Sequence, residues 1–193
     1  MHLGRGLRHA LGTLFRGVES DYASQVTLSP LVLTGGPAAG KSSTALTLAA
    51  TTPRTAFVDV DDVRQLVKNG GAAPWDGPEG ARQQVLGVRN TAALARNFLA
   101  SGFNATIADV VIPSTLALYR QLIPDVLVVR LNLNFEEARR RASLRRVYLT
   151  SDEFQALHRQ QADALDVDHE LDVSALDLDA QVDEVRRLWR GNR

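Results

Sequence analysis

The sequence predicts an α/β fold, one parallel sheet with helices on both faces. Three observations carry this. Short apolar runs alternate with helical patterns from residue 29 onward, as βαβ units require. A glycine-rich octapeptide, residues 35–42, lies between the first apolar run and the first helical segment. The chain has 193 residues, 45% of them hydrophobic, which suffices for one domain with a sizeable core.

The elements follow in order. Residues 30–34 read as a buried strand that ends at a glycine turn, and residues 41–50 as a helix. Residues 55–60 form the second strand and 61–68 the next helix. Residues 69–80 are a long loop rich in Gly and Pro, and 81–101 have helical apolar spacing. A third strand spans 103–110. A short helix, 114–122, lies between Pro113 and Pro124. The fourth strand covers 125–133, followed by a very basic helix over 135–147 and another over 150–165. A weak fifth strand, 170–173, and a closing helix, 179–189, complete the chain. Consecutive strands joined by helices imply a parallel sheet covered on both sides.

The first 25 or so residues differ from the rest. They carry Arg5, Arg8 and Arg16 with no acid before Glu19, and Leu3, Leu7, Leu11, Leu14, Phe15 and Val18 recur at helical spacing. This fits an amphipathic helix on the domain or a partner, a targeting segment, or a plain extension. Residues 1–25 are therefore set apart from a domain over 26–193.

Composition excludes several classes. There is no cysteine, hence no disulfide, thiolate metal site or thiol nucleophile, and a cytoplasmic location is expected. The formal net charge is +0, from 22 basic and 22 acidic residues, which argues against a nucleic-acid partner. The apolar runs are too short to span a bilayer. Eleven acids and one base between Asp152 and Glu184 lack calcium-loop spacing and read as solvated surface. His158 and His169 have no partners at metal-ligand spacing.

The octapeptide Gly35-Gly36-Pro37-Ala38-Ala39-Gly40-Lys41-Ser42 fits G-x-x-x-x-G-K-[ST] without a mismatch. Average residue usage puts a chance match at on the order of one per cent. Glycines let successive backbone N–H groups turn inward toward phosphate oxygens, and the helix N-terminus adds its positive end. Lys41 is placed to reach the β- and γ-phosphates. Ser42 is placed to ligate Mg²⁺, with Ser43 beside it in the first turn. ATP and Mg²⁺ are the expected ligands, and no NKxD guanine motif is present.

Two predicted strands end in aspartates, at the sheet edge where ligands of open parallel sheets bind. Asp59, Asp61 and Asp62 follow the second strand, and Asp109 follows the third. Alternation places Asp59 and Asp61 on one side if the strand runs that far. Asp61 is the candidate base that orients and deprotonates an acceptor hydroxyl, and Asp62 a capping or first-turn acid near the acceptor. Asp109 is the candidate for a Mg²⁺-bound water. The basic helix packs Arg139, Arg140, Arg141, Arg145 and Arg146 into eight residues. Guanidinium forks suit phosphate, so Arg139 is expected to contact nucleotide and Arg146 to serve catalysis from a mobile lid. Trp75, in the Gly/Pro loop, either packs that loop or lines the acceptor pocket.

With these residues in view, the chain resembles the chloramphenicol-phosphotransferase-like group of small P-loop kinases, related to polynucleotide and zeta-toxin kinases. GGPAAGKSS, AFVDVDD, the Ile107-Ala108-Asp109-Val110 strand end and VVRLN…EEARRRASLRRV carry the similarity, from about Leu31 to Val147. The resemblance implies that Asp61 activates the acceptor hydroxyl. Asp61-Asp62-Val63-Arg64 is similar to an Asp-Asp-aromatic-Arg pattern whose arginine places the acceptor, with Val63 departing from the aromatic. The expected architecture is a three-layer P-loop NTPase with a five-stranded parallel sheet in the order 2-3-1-4-5, nucleoside/shikimate-kinase-like. The expected activity is transfer of the γ-phosphoryl group of ATP to a hydroxyl of a small molecule such as an antibiotic, nucleoside or sugar-like metabolite. A polynucleotide 5′-hydroxyl kinase and a nucleotide-binding switch without transfer are the alternatives.

Overall fold

The computed structural model describes residues 28–144, 150–160 and 164–192. The elements are β1 (Leu31–Gly35), α1 (Lys41–Thr51), β2 (Thr55–Asp59), α2 (Val60–Arg64), α3 (Gly77–Ala100), β3 (Asn104–Ala108), α4 (Pro113–Leu122), β4 (Leu127–Asn132), α5 (Phe135–Ser143), α6 (Ser151–Gln160), β5 (His169–Asp172) and α7 (Leu178–Gly191). The five strands form one sheet in the order β2-β3-β1-β4-β5, the order the sequence predicts. Every neighbouring pair is parallel.

β1 sits at the centre because it is apolar on both faces and has no exposed residue. Side chains alternate across a strand, so its residues divide between two cores. Leu31 and Leu33 cluster with Leu48 of α1 and with Val185 and Trp189 of α7. Val32 clusters with Ile107 of β3, Val88 of α3 and Tyr119 of α4. Full burial of each such side chain contributes about 1.5–3 kcal/mol. Arg54, at φ 49, braces the rear of the sheet. Its Nε donates to Gly102 O at 2.8 Å and its Nη2 to Ser101 O at 2.8 Å, so a cation caps the C-terminus of α3.

Several boundaries differ from the sequence reading. β2 stops at Asp59, so Asp59 and Asp61 do not alternate along one strand. Asp59 is instead the N-cap of α2, accepting from Asp61 N at 3.0 Å, and Asp62 is a first-turn acid rather than the cap. α2 itself ends at Arg64 rather than at residue 68. α3 starts four residues before the expected 81, with Pro78 in the first turn where its missing N–H costs nothing. β3 is shorter than 103–110, which releases Asp109 from the strand. The basic helix is described only as α5, residues 135–143. Arg145 and Arg146 lie outside the described residues, as does the N-terminal extension.

α5 begins at Asn134, whose side chain accepts from Glu137 N at 2.9 Å. Glu137 in turn accepts from Arg140 Nε at 2.6 Å and Arg141 Nε at 2.8 Å. These hydrogen bonds lower the Glu137 pKa from its ordinary 4.5 to about 2. A carboxylate with a depressed folded-state pKa stabilises the fold fully above its unfolded pKa and loses that contribution as pH falls toward the folded value. Glu137→Gln is therefore expected to lower the thermal midpoint modestly near neutral pH. The gap from wild type is expected to close between pH 4.5 and pH 2, the two pKa values that bound the shift. Thermal melts across that range check it; a pH-independent gap refutes the assignment.

Candidate active site

The glycine-rich loop leaves the sheet at Gly35, which has φ +136 and lies so close to β4 that a Cβ would stand 2.3 Å from Leu131 O. No side chain fits there. Ala38 follows with φ 62, and Gly40, with φ 87, ends the loop as the N-cap of α1. Lys41 and Ser42 open α1, and Ser43 is exposed in its first turn. Lys41 Nζ donates to Gly35 O at 2.9 Å and to Gly36 O at 3.0 Å, so the ammonium lies over the start of the loop.

The loop is held from below by Gln181 of α7, a residue the sequence reading did not single out. Its buried Nε2 donates to Ala39 O at 3.0 Å and to Thr44 Oγ1 at 2.8 Å. A trans peptide points its N–H opposite its C=O. Tethering the Ala39 carbonyl toward α7 therefore presents the Gly40 N–H to the other side. Gly40 packs on the same amide, where a Cβ would come within 2.8 Å of Nε2. The available sequence signal was a polar residue on the apolar stripe of Val182, Val185 and Trp189.

Beside the loop, a cavity of about 660 Å³ is lined by Pro37, Ala38, Lys41 and Ser42 on one side and by Asp61, Arg64 and Trp75 on the other. That size suits a small-molecule site. Asp61 is exposed, its side chain 74% accessible, and its Oδ1 accepts from Arg64 Nη1 at 3.1 Å. Arg64 Nη2 donates to Asp109 Oδ1 at 2.8 Å. Gly87 of α3 makes room for Arg64, since a Cβ there would stand 3.0 Å from Arg64 Cγ. Asp62 does not line the cavity.

Asp109 has a fully buried side chain. Oδ1 accepts from Arg64 and from Val110 N at 2.7 Å, and Oδ2 accepts from Tyr119 Oη at 2.8 Å. Burial pushes its pKa above the ordinary carboxylate value, against the opposing pull of Arg64, Tyr119 and Val110. Burial also pushes the Tyr119 hydroxyl well up, with Asp109 adding to the shift. Burial lowers the Arg64 pKa, but Asp109 and Asp61 outweigh it and leave it raised. Both Asp109 oxygens are thus engaged by protein donors, an arrangement that fits holding Arg64 and does not fit reaching a metal-bound water. Tyr119, the other anchor of this network, gave no signal in the sequence beyond its place in a helical pattern.

Among the basic residues of α5, Arg140 and Arg141 are tied to Glu137. Arg141 Nη2 also donates to Val173 O at 2.7 Å and Leu176 O at 2.8 Å. Arg139 is exposed, with its guanidinium carbon 5.9 Å from the Phe135 ring centroid. His158 Nε2 lies 2.8 Å from Leu133 O, a packing role. No group of three His, Cys, Asp or Glu side chains among the described residues is arranged to hold a metal ion. No helix among them is long and apolar enough to cross a membrane.

No protein-family sequence profile matches the chain. No curated protein matches it by sequence. Solved structures do match its fold. A sugar kinase from a Janibacter species superposes with a TM-score of 0.65 at 18% identity, covering 85% of this chain and 95% of that one. A gluconokinase from Sinorhizobium meliloti gives 0.61 at 18% identity, covering 86% and 97%. A shikimate kinase from Aquifex aeolicus gives 0.58 at 16% identity, covering 84% and 97%. The fold is thus the three-layer α/β P-loop NTPase fold, in the arrangement seen in these small kinases.

The Gln181 clamp is testable without any assigned reaction. Gln181→Met keeps the volume but removes the donor, leaving the buried Ala39 carbonyl unpaired. An unmade buried hydrogen bond costs about 1–3 kcal/mol, and to the extent that this loosens the loop, affinity for inorganic tripolyphosphate is expected to fall by about fivefold or more in calorimetry. Wild-type affinity in the variant refutes the clamp.

Proposed function

We propose that this chain transfers the γ-phosphoryl group of ATP to a hydroxyl group of a small molecule. One observation carries the reading: the phosphate loop and the exposed carboxylate of Asp61 open into the same cavity. The small-molecule kinases among the structural neighbours support it at the level of fold.

The loop Gly35, Gly36, Pro37, Ala38, Ala39, Gly40, Lys41, Ser42 and Ser43 binds the nucleotide phosphates through backbone N–H groups and the N-terminal end of α1. Lys41 leaves the Gly35 and Gly36 carbonyls for phosphate oxygens. Ser42 is the protein ligand available to Mg²⁺. That ion takes few protein groups when phosphates and waters complete its shell, so one hydroxyl fits it. When bound, it neutralises charge on the phosphates.

Asp61 orients the acceptor hydroxyl and takes its proton. The hydroxyl oxygen forms a bond to the γ-phosphorus, the bond from that phosphorus to the bridging oxygen breaks, and ADP leaves with the electron pair. Arg64 fixes Asp61 from one side while Asp109 fixes Arg64 from the other. Arg139, exposed on α5, and Arg146, outside the described residues, are the assigned cations of the lid. Trp75 and Arg64 form the acceptor side of the site, and Asp62 keeps its helix-terminal role alone.

Lys41→Ala is expected to abolish measurable phosphoryl transfer while leaving the thermal midpoint close to wild type; a variant with wild-type turnover and ATP affinity removes the phosphate-loop assignment. Asp61→Asn keeps the shape of the side chain but cannot accept a proton. Transfer is expected to drop roughly 10²–10⁴-fold, the usual worth of a general base, with ATP binding retained. Asp62→Asn is expected to cost far less. Stopped-time assays of ADP formation with each variant decide this: a dead Asp62→Asn beside an active Asp61→Asn swaps the two roles, two active variants remove the general-base assignment, and a wild type that forms no ADP leaves a nucleotide-binding switch.

A further inference from the structure

The acceptor half of the cavity is built from three kinds of group. The first is a clamped charge. Arg64, the described guanidinium in the cavity wall, is held between Asp61 at 3.1 Å and Asp109 at 2.8 Å. Two carboxylates already match its charge, and the exposed one is Asp61. An incoming carboxylate or phosphate would meet that carboxylate directly.

The second is an aromatic surface on a fixed loop. Gln83 Nε2 donates to Gly70 O at 2.7 Å, and Gln83 Oε1 accepts from Ala72 N at 2.8 Å. Asp76 accepts from Ala73 N at 2.7 Å. Gly80 lies so close beneath the loop that a Cβ would stand 2.0 Å from Ala73 O. The loop is thus pinned to α3, yet Trp75 within it stays 50% exposed at the cavity. A large aromatic held in the open on a rigid support is an apolar platform.

The third is a set of neutral hydrogen-bonding groups. Gln84 and Asn90 of α3 line the same cavity, and no other described residue engages either side-chain amide. Ile112 and Leu157 add apolar wall. Amides both donate and accept, which suits hydroxyl groups and leaves a net charge unmatched.

We infer that the acceptor is an uncharged, hydroxyl-bearing ring compound whose apolar face stacks on Trp75 while Gln84 and Asn90 bind its polar edge. The inference rests on the proposed kinase site and narrows it to a substrate class.

The test is a binding panel of matched pairs that differ in charge: glucose against glucuronate, thymidine against thymidylate, and methyl shikimate against shikimate. Affinities are measured by calorimetry on the full chain in the presence of a non-hydrolysable ATP analogue. At least one neutral member is expected to bind tenfold or more tighter than its anionic partner. That binding is expected to weaken about tenfold in Trp75→Ala, the usual order for a lost aromatic stack, and to be largely restored in Trp75→Phe. Anions that bind as well as or better than their neutral partners overturn the inference. So does neutral binding indifferent to Trp75→Ala, or the failure of every neutral member to bind. ADP formation with Mg²⁺ and ATP separates this inference from the kinase reading. A neutral ligand bound through Trp75 but never phosphorylated refutes the kinase reading alone. An anion that is phosphorylated in preference to its neutral partner upholds that reading and refutes this one.

Discussion

β1 and β4 run so close together at their carboxyl ends that position 35 admits no side chain. A Cβ would overlap the Leu131 carbonyl, and the +136° φ at Gly35 is one that only glycine adopts readily. A clash with backbone cannot be relieved by turning a rotamer, so the chain leaves the sheet at this residue or the strand pairing fails. The consequence is geometric. The loop starts at the level of the sheet edge, and Gly40 brings it back at once into α1. Pro37 and Ala38 of the loop then line the space beyond the strand ends. Asp61, which follows β2, opens onto that same space.

A second constraint sets the far wall of the cavity. Asp109 is a carboxylate with a fully buried side chain, which in isolation would be strongly disfavoured. Three donors compensate it: Arg64, Tyr119 and the Val110 amide. A buried ion pair is weak evidence of stabilisation, because desolvation offsets the attraction; removing one partner costs far more, about 3–5 kcal/mol. What the pair supplies is position. Arg64 is drawn flat across Gly87, and its other nitrogen reaches Asp61. The exposed carboxylate in the cavity is thereby tied through one guanidinium to the core beside β3.

Much of this was legible in the sequence. β1 and β4 read as buried strands because Leu31-Val32-Leu33 and Leu127-Val128-Val129 are apolar on both faces, the parallel sheet followed from alternating strands and helices, and its order accompanied the resemblance to small P-loop kinases. The glycine-rich loop was legible because its geometry is local: turn residues and helix N-terminus occupy consecutive positions. The parts that were not legible are nonlocal. Gln181 meets Ala39 across 142 positions, and Arg64 meets Asp109 across 45. Neither pairing leaves a periodic trace. Asp109 was readable as an acid at a strand end, but which group would claim it depended on Tyr119 arriving from α4. Asp59 was misread for a smaller reason. Apolar residues run on through Val60, while the chain had already turned at Asp59 to cap α2. The early start of α3 was hidden by Gly77-Pro78, which signals a loop yet also suits a helix's first turn.

The clamp beneath the glycine-rich loop belongs to a longer brace. On α7, Gln181 and Trp189 are eight residues apart, about 12 Å at the rise of an α-helix. Gln181 holds the end of the loop through Ala39 and Thr44. Trp189 is buried, and its Nε1 donates to Ser29 O at 2.6 Å, just before β1 begins. Between them, Val182 and Val185 pack into the core that contains Leu31 and Leu33. One helix therefore fixes both the approach to the central strand and the loop that leaves it. Neither end can shift without disturbing a hydrogen bond, buried at Gln181 and part-buried at Trp189, and the two are joined by continuous apolar packing. For the phosphate-binding role proposed above such support matters, because preorganised donors need no rearrangement when charge arrives.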